Sequence, residues 1–257
     1  ESEAKIMSEI GKFLMNGGLY RGVKPVMWSS VEKTALAEAE IEYHEHKSTT
    51  IYVKFPVCRT EIKDLNNSNI IIWTTTPWTI PGNRAVAYKA SLKYILIEVL
   101  STKDNSIAKI SDKILVAEEL IDNFIKETSI EKFKVKLKLK GIELDGTILK
   151  HPLFEKGYDF DVPLLEADFV TTDQGTGFVH IAPGHGADDF ELGKKHSLPT
   201  LETVEDDGYL KETLPLFGGL HVLRDNEKMA DILTENECLI GRGTINHSYP
   251  HSWRSKA

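Results

Sequence analysis

Two turn-rich stretches concentrate the residues able to handle a polar substrate. They are Trp73-Thr74-Thr75-Thr76-Pro77-Trp78-Thr79-Ile80-Pro81-Gly82-Asn83 and Gly175-Thr176-Gly177-Phe178-Val179-His180-Ile181-Ala182-Pro183-Gly184-His185-Gly186-Ala187-Asp188-Asp189-Phe190. Each leaves a run that reads as a strand. Proline and glycine set the turns that follow, and strand ends of this kind are where polar groups converge on a ligand. Thr74, Thr75 and Thr76 supply hydroxyls that both donate and accept, facing alternate sides of an extended chain. That chemistry suits holding a water and an ester oxygen. Threonine is also a good strand former, so the triplet alone has an ordinary explanation. The Pro-Trp-Thr and Pro-Gly-Asn that follow, bringing Trp78, Thr79 and Asn83, weaken it. His180 ends a strand, and Asp189 lies nine positions later in the first turn of a predicted helix, so both side chains can face one pocket. Taken singly, Asp189 reads as a carboxylate favoured at a helix N-terminus and His180 as a satisfied, half-buried imidazole. His185 reads as a loop residue or a secondary site candidate.

The elements that must position these residues follow from periodicity. Ile6, Ile10, Phe13 and Leu14 predict an amphipathic helix over Glu3 to Asn16, stopped by Gly17 and Gly18. Extended segments are expected at Lys24 to Trp28, Glu38 to Tyr43, Thr49 to Phe55, Asn69 to Thr74, Arg84 to Tyr88, Leu92 to Val99, Asp168 to Thr171 and Thr176 to Ile181. Helices are expected at Val116 to Lys126, Ala187 to His196 and Asn226 to Asn236. Lys132, Lys134, Lys136, Lys138 and Lys140 alternate with Phe133, Val135, Leu137 and Leu139, the pattern of a strand with one solvated face. No repeat or long linker divides the chain, so one compact domain over 1–257 is expected. On pattern alone its class is mixed α and β.

Composition narrows the class. With 41% hydrophobic and 27% charged residues, the chain has the make-up of a globular protein. The absence of a long apolar run or a signal-peptide pattern makes a soluble, cytoplasmic protein the expectation, with no membrane partner. Two cysteines, Cys58 and Cys238, form no disulfide framework or thiolate zinc motif, so no metal site is expected. A net charge of -8 argues against indiscriminate binding of nucleic acid over the whole surface. A P-loop and a Gly-x-Ser-x-Gly elbow are both missing, which leaves nucleotide hydrolysis and a serine acyl-enzyme unsupported.

The two stretches resemble the paired signatures of the editing domains of isoleucyl-, valyl- and leucyl-tRNA synthetases. Lys24-Pro25-Val26-Met27-Trp28-Ser29 and Thr34 to Glu40 resemble the segment leading into this domain, while His247-Ser248-Tyr249-Pro250 and Trp253-Arg254 resemble its exit. Segments 1–30 and 246–257 would then be connections to a synthetic domain. Thr76 and Trp78 favour the isoleucyl branch, because the sister branches typically carry arginine and an acidic residue there. The His-Ile-Gly-His and Lys-Met-Ser-Lys-Ser signatures of amino-acid activation are missing.

The resemblance implies a mainly β, barrel-like fold with peripheral short helices, within the mixed α/β class. It implies a deacylase that removes valine from the isoleucine tRNA. One methylene is worth only about 1 to 3 kcal/mol in a binding pocket, and a second, smaller hydrolytic pocket is the known answer to that limit in synthetases of this kind. By resemblance, Thr74, Thr75, Thr76, Asn83, His180 and Asp189 form the reacting centre, and Trp73, Trp78, Thr79, His180, His185 and Asp189 contact the substrate. Asp189 would pair with the substrate ammonium, and Thr79 and His180 would limit side-chain size. No cofactor is expected in this chain; ATP and magnesium would belong to the parent enzyme. The expected partners are the acceptor end of tRNA(Ile) carrying valine and the rest of the synthetase, with the chain a monomer.

Overall fold

The computed structural model describes residues 1–256. In chain order the elements are α1 (Ser2–Met15), β1 (Trp28–Ser29), β2 (Thr34–Ala35), β3 (Ile41–Arg59), β4 (Asn69–Thr74), β5 (Ala85–Tyr88), β6 (Lys93–Thr102), β7 (Lys113–Ala117), α2 (Ile121–Glu127), β8 (Ile130–Lys140), β9 (Ile148–Lys150), β10 (Asp161–Glu166), β11 (Val179–Ile181), α3 (Ala187–Lys195), α4 (Asn226–Glu235) and β12 (Leu239–Ser252). The class is mixed and mainly β, as expected.

Strand β4 is central because its side chains are apolar on both faces. It pairs antiparallel with β3 and parallel with β7. Ile70 and Ile72 join one core with Ile51, Val53, Phe55 and Val86, whereas Ile71 and Trp73 join a second core with Tyr52, Ile97 and Phe124. A continuous apolar run is what a strand covered on both faces requires. The period of two then puts Thr74 on the face of Ile70 and Ile72, opposite Trp73.

The large sheet has the order β11-β5-β10-β9-β3-β4-β7-β6-β8, with β12 added on β3. Its two ends do not pair with each other, so the barrel-like expectation is corrected to an open mixed sheet. The terminal strand β8 carries exposed Lys132, Lys134, Lys136, Lys138 and Lys140, and lysines along an edge keep it solvated and unpaired. A register shift between Leu96 and Ile97 breaks the ladder of β8 with β6. Leu137 and Leu139 consequently pack into the first core and Phe133 into the second, which divides the lysines between two faces instead of one.

Several local expectations are also corrected. Val116 is a fully buried residue of β7, and the helix expected to start there begins only at Ile121, because sheet burial overrides its helical spacing. Asp168 to Thr171 forms no strand, since the chain has already left the sheet after Glu166. Of Lys24 to Trp28, only Trp28 lies in a strand. Helix α1 forms as its spacing predicts, yet buries none of its residues. The polar tail at His247 to Ser252 pairs with β3 throughout, its register set by the partner and not by a hydrophobic pattern of its own.

The sheet positions the candidate site at one place. A 3-10 turn, Pro77–Gly82, leads from β4 toward β5, and β11 lies antiparallel on β5 with His180 opposite Val86. The loop before β11 is fastened to the sheet, since the Ala117 amide donates to the Thr176 carbonyl at 2.8 Å and the Tyr94 hydroxyl donates to the Gly177 carbonyl at 2.9 Å. Gly177 has a φ of +75°, and a Cβ there would lie 2.3 Å from the Ala117 Cβ. Gly177→Ala is expected to destabilise the fold by roughly 2 to 5 kcal/mol, combining a left-handed backbone penalty with overpacking. Gly146→Ala, at a φ of +73° with open space around its Cβ, should lose only the backbone part. Denaturant unfolding of both variants checks the difference.

Candidate active site

The centre of the site is the imidazole of His180, held between the two ends of the 77–83 turn. Asn83 Nδ2 lies 2.8 Å from the Ala85 carbonyl and 2.8 Å from His180 Nδ1. A carbonyl only accepts, so the amide nitrogen faces Ala85, and its second hydrogen goes to Nδ1. His180 therefore carries its proton on Nε2 and donates it to Thr79 Oγ1 at 2.8 Å. The Thr79 hydroxyl in turn donates to the Thr76 carbonyl at 2.9 Å. Thr76 Oγ1 then serves as donor toward Thr79 Oγ1 at 3.4 Å, and Thr74 Oγ1 toward Thr76 Oγ1 at 3.0 Å. Thr74 Oγ1 also accepts from the Thr76 amide at 3.1 Å, closing the turn after β4.

Both nitrogens of His180 are thus engaged, and burial pushes its pKa down to about 3, with His185 and His151 adding smaller effects in the same direction. It is a neutral, fixed ring. Asn83 is fully buried, with Oδ1 left without a partner, so its orientation is set by the donors it supplies.

Asp189 reaches this region from α3. Gly186 caps that helix, and the Asp189 carboxylate folds back to accept the Ala182 amide through Oδ2 at 2.7 Å. A Cβ on Gly186 would stand 2.9 Å from Asp189 Oδ1, so a glycine is what permits this close approach. The bond ties the head of α3 to the chain two residues after His180. It also differs from helix capping, since the amide it satisfies lies outside the helix. Burial raises the Asp189 pKa to about 6, the Ala182 hydrogen bond opposing it.

His185 closes the loop between them. Its Nε2 lies 2.6 Å from Thr203 Oγ1, its ring meets Trp78 edge-on with centroids 5.0 Å apart, and it packs against Gly82. Burial lowers its pKa to about 4.

The structure therefore gathers Thr74, Thr76, Thr79, Asn83 and His180 into one network, with Trp78, His185 and Asp189 around it. Thr75 is half-buried at the start of the turn and makes none of these hydrogen bonds. Trp73 lies on the opposite face of β4, in the second core beside Gly175, and does not join the site. Thr203 and His151 are buried supports that no pattern in the sequence marked. His151 sits in a segment without motif, and Thr203 lies in a loop whose only role is revealed by its contact with His185.

The buried imidazoles make stability depend on pH. His151, His180 and His185 have folded pKa values of about 3, 3 and 4, all below the ordinary 6.5. Such groups stabilise the fold fully above 6.5 and lose that contribution as pH falls toward the folded values. Asp189, raised to about 6, acts oppositely, stabilising below its ordinary value of 3.8 and losing that contribution as pH rises through 6. The three imidazoles outweigh the one carboxylate. The unfolding free energy is expected to fall by roughly 2 to 5 kcal/mol between pH 7 and pH 5, measured by urea unfolding.

Comparison with known proteins places this geometry in a family. The profile of the leucyl-tRNA synthetase editing domain matches residues 46–216. The chain is 53% identical over 257 residues to the isoleucine–tRNA ligase of Pelagibacter ubique and 51% identical over 269 residues to that of Gluconobacter oxydans, in each case using 100% of this chain. It spans 28% of the length of either relative. Among solved structures, the P. knowlesi cytosolic leucyl-tRNA synthetase editing domain superposes with a TM-score of 0.57 at 12% identity, covering 80% of this chain and 97% of that one. The corresponding P. falciparum domain gives a TM-score of 0.54 at 12% identity, covering 76% and 99%. At these identities the structural likeness establishes a shared fold. The chain belongs to the family of the leucyl-tRNA synthetase editing domain, and the sequence relatives it matches are isoleucine–tRNA ligases.

Proposed function

We propose that this site hydrolyses the aminoacyl ester of valine misattached to isoleucine tRNA, as the editing part of an isoleucyl-tRNA synthetase. The observation that carries the proposal is a half-buried Asp189 carboxylate anchored on the Ala182 amide, two residues along the chain from a His180 ring fixed on Thr79. A carboxylate in a poorly solvated place is a strong partner for an ammonium. Every aminoacyl ester offers that ammonium, so Asp189 positions the substrate without selecting it.

Selection falls to the wall. His180 cannot rotate without breaking its bonds to Asn83 and Thr79, and a rigid site resists an added methyl group at a cost of about 1 to 3 kcal/mol. Isoleucine would be excluded and valine admitted. Trp78 and His185 line the neighbouring side.

The chemical step needs an oriented water. Thr74, Thr75 and Thr76 supply hydroxyls for the terminal adenosine, the ester and that water. His180 is no general base in this arrangement, because Nε2 holds the proton and Nδ1 accepts from Asn83. The water is activated by orientation and by the tRNA's own ribose hydroxyl. Protein and tRNA groups carry the reaction, with no cofactor held by this chain. The remainder of the synthetase and the tRNA acceptor end are the partners, and the chain acts as a monomer in the cytoplasm.

Deacylation of valyl- and isoleucyl-esters of tRNA(Ile) by the wild-type chain and by Asp189→Asn tests this. Asparagine keeps an acceptor for the Ala182 amide and loses the charge. The wild type should prefer the valyl ester by about 10-fold to 100-fold, and the variant should fold normally but lose at least about 100-fold in rate. Binding without hydrolysis by the wild type would indicate a noncatalytic acceptor-end module, and preference for a threonyl ester on valine tRNA or a mischarged leucine tRNA a sister specificity.

A further inference from the structure

The 77–83 turn carries Thr79 and Asn83, the two partners of His180, and its Pro77 and Pro81 have no amide hydrogen to donate. The Thr79 amide bonds to the Thr76 carbonyl and the Asn83 amide to the Ile80 carbonyl, each at 3.0 Å. Short 3-10 segments are not rigid by themselves. Something outside the turn must hold it.

The holding groups come from the segment between β9 and β10. His151 is fully buried, and its Nε2 lies 3.1 Å from the Ile80 carbonyl. The Leu153 amide donates to its Nδ1 at 3.1 Å, which leaves the proton on Nε2 and makes it the donor to Ile80. Its ring stacks on Tyr158 with centroids 4.6 Å apart and an interplanar angle of 16°, and also contacts Phe160 and Phe55. Tyr158 is itself fixed through its hydroxyl to the Pro215 carbonyl at 2.9 Å. At the C-terminal end of the turn, Arg84 donates to the Asn83 carbonyl, while its guanidinium rests 4.3 Å from the Phe160 ring centre.

We infer that His151 is a positioning residue for the proposed deacylation: together with Arg84 seated on Phe160, it holds the middle and the C-terminal end of the 77–83 turn and so sets where Thr79 stands against His180. The inference rests on the function proposed above. His151 touches no reacting group; it acts through the Ile80 carbonyl. A neutral donor serves here: the Ile80 carbonyl, which accepts the Asn83 amide on one lone pair, takes the His151 hydrogen on the other, and the aromatic cage provides no counter-charge.

The clamp is tested by comparing His151→Leu with His151→Gln in the full 257-residue chain. Glutamine retains one donor for Ile80 and one acceptor for Leu153; leucine retains neither. His151→Leu should lower kcat about 10-fold to 100-fold with KM changed less than about 3-fold, and should reduce the valyl-over-isoleucyl preference, because a displaced turn disturbs orientation and fit more than binding. His151→Gln should restore kcat to within about 3-fold of wild type. Amide hydrogen exchange at Thr79 and Asn83 should accelerate about 10-fold in the leucine variant and not in the glutamine variant. A folded His151→Leu with wild-type kcat, preference and exchange would overturn the clamp. If the leucine variant does not fold, Phe160→Leu is read by the same criteria, and its retention of all three properties overturns the clamp equally. A wild-type chain inactive on every aminoacyl ester would refute the functional reading alone, since the exchange comparison still decides whether His151 holds the turn.

Discussion

A single uncharged imidazole connects the parts of the candidate site. His180 receives a hydrogen from Asn83 on one side and gives one to Thr79 on the other, and the direction of both bonds is dictated by the carbonyl of Ala85, which can only accept. A protonated ring could not accept from Asn83, and the other tautomer would confront Asn83 with a second donor. Burial enforces the neutral form. The ring therefore joins β11 to the 77–83 turn in one orientation, and the hydroxyls of Thr74 and Thr76 fall into line behind Thr79.

In the function proposed here, this constraint separates selection from chemistry. A fixed ring makes a good wall and a poor base. The charge in the site sits instead on Asp189, carried by a different element and held by an amide two residues after His180. A tight wall and a nearby carboxylate are thus delivered by consecutive parts of the chain, Val179–Ile181 and the head of α3, with glycines permitting the close approaches between them. The support extends outward through buried polar contacts: Ile80 to His151, His185 to Thr203, and the loop before β11 to Tyr94 and Ala117.

Much of this was legible in the residues. The Ile70 to Ile72 run marked a buried strand because both faces of β4 are apolar, and the proline and glycine turns marked where it ends. Thr74, Thr76, Thr79, Asn83, His180 and Asp189 were identified by type and by resemblance, and the structure brings them to one place. Parity within β4 sets Trp73 apart from the others: adjacent residues of a strand point to opposite faces, so Trp73 packs on the second core while Thr74 faces the His180 network. The open sheet was not legible, since closure depends on whether the two terminal strands meet. Nor was His151, whose importance arises from a contact 71 positions away in the chain. The divided lysines of β8 depend on a bulge that alternation alone does not reveal.

The protonation state of His180 decides the account most directly. Nitrogen-15 NMR of the imidazole, followed from pH 7.5 to pH 5, is expected to show Nε2 protonated, Nδ1 bare, and no titration across that range. Observation of a proton on Nδ1, or of a ring that titrates near its ordinary value of 6.5, would contradict the fixed neutral wall and return His180 to consideration as the base.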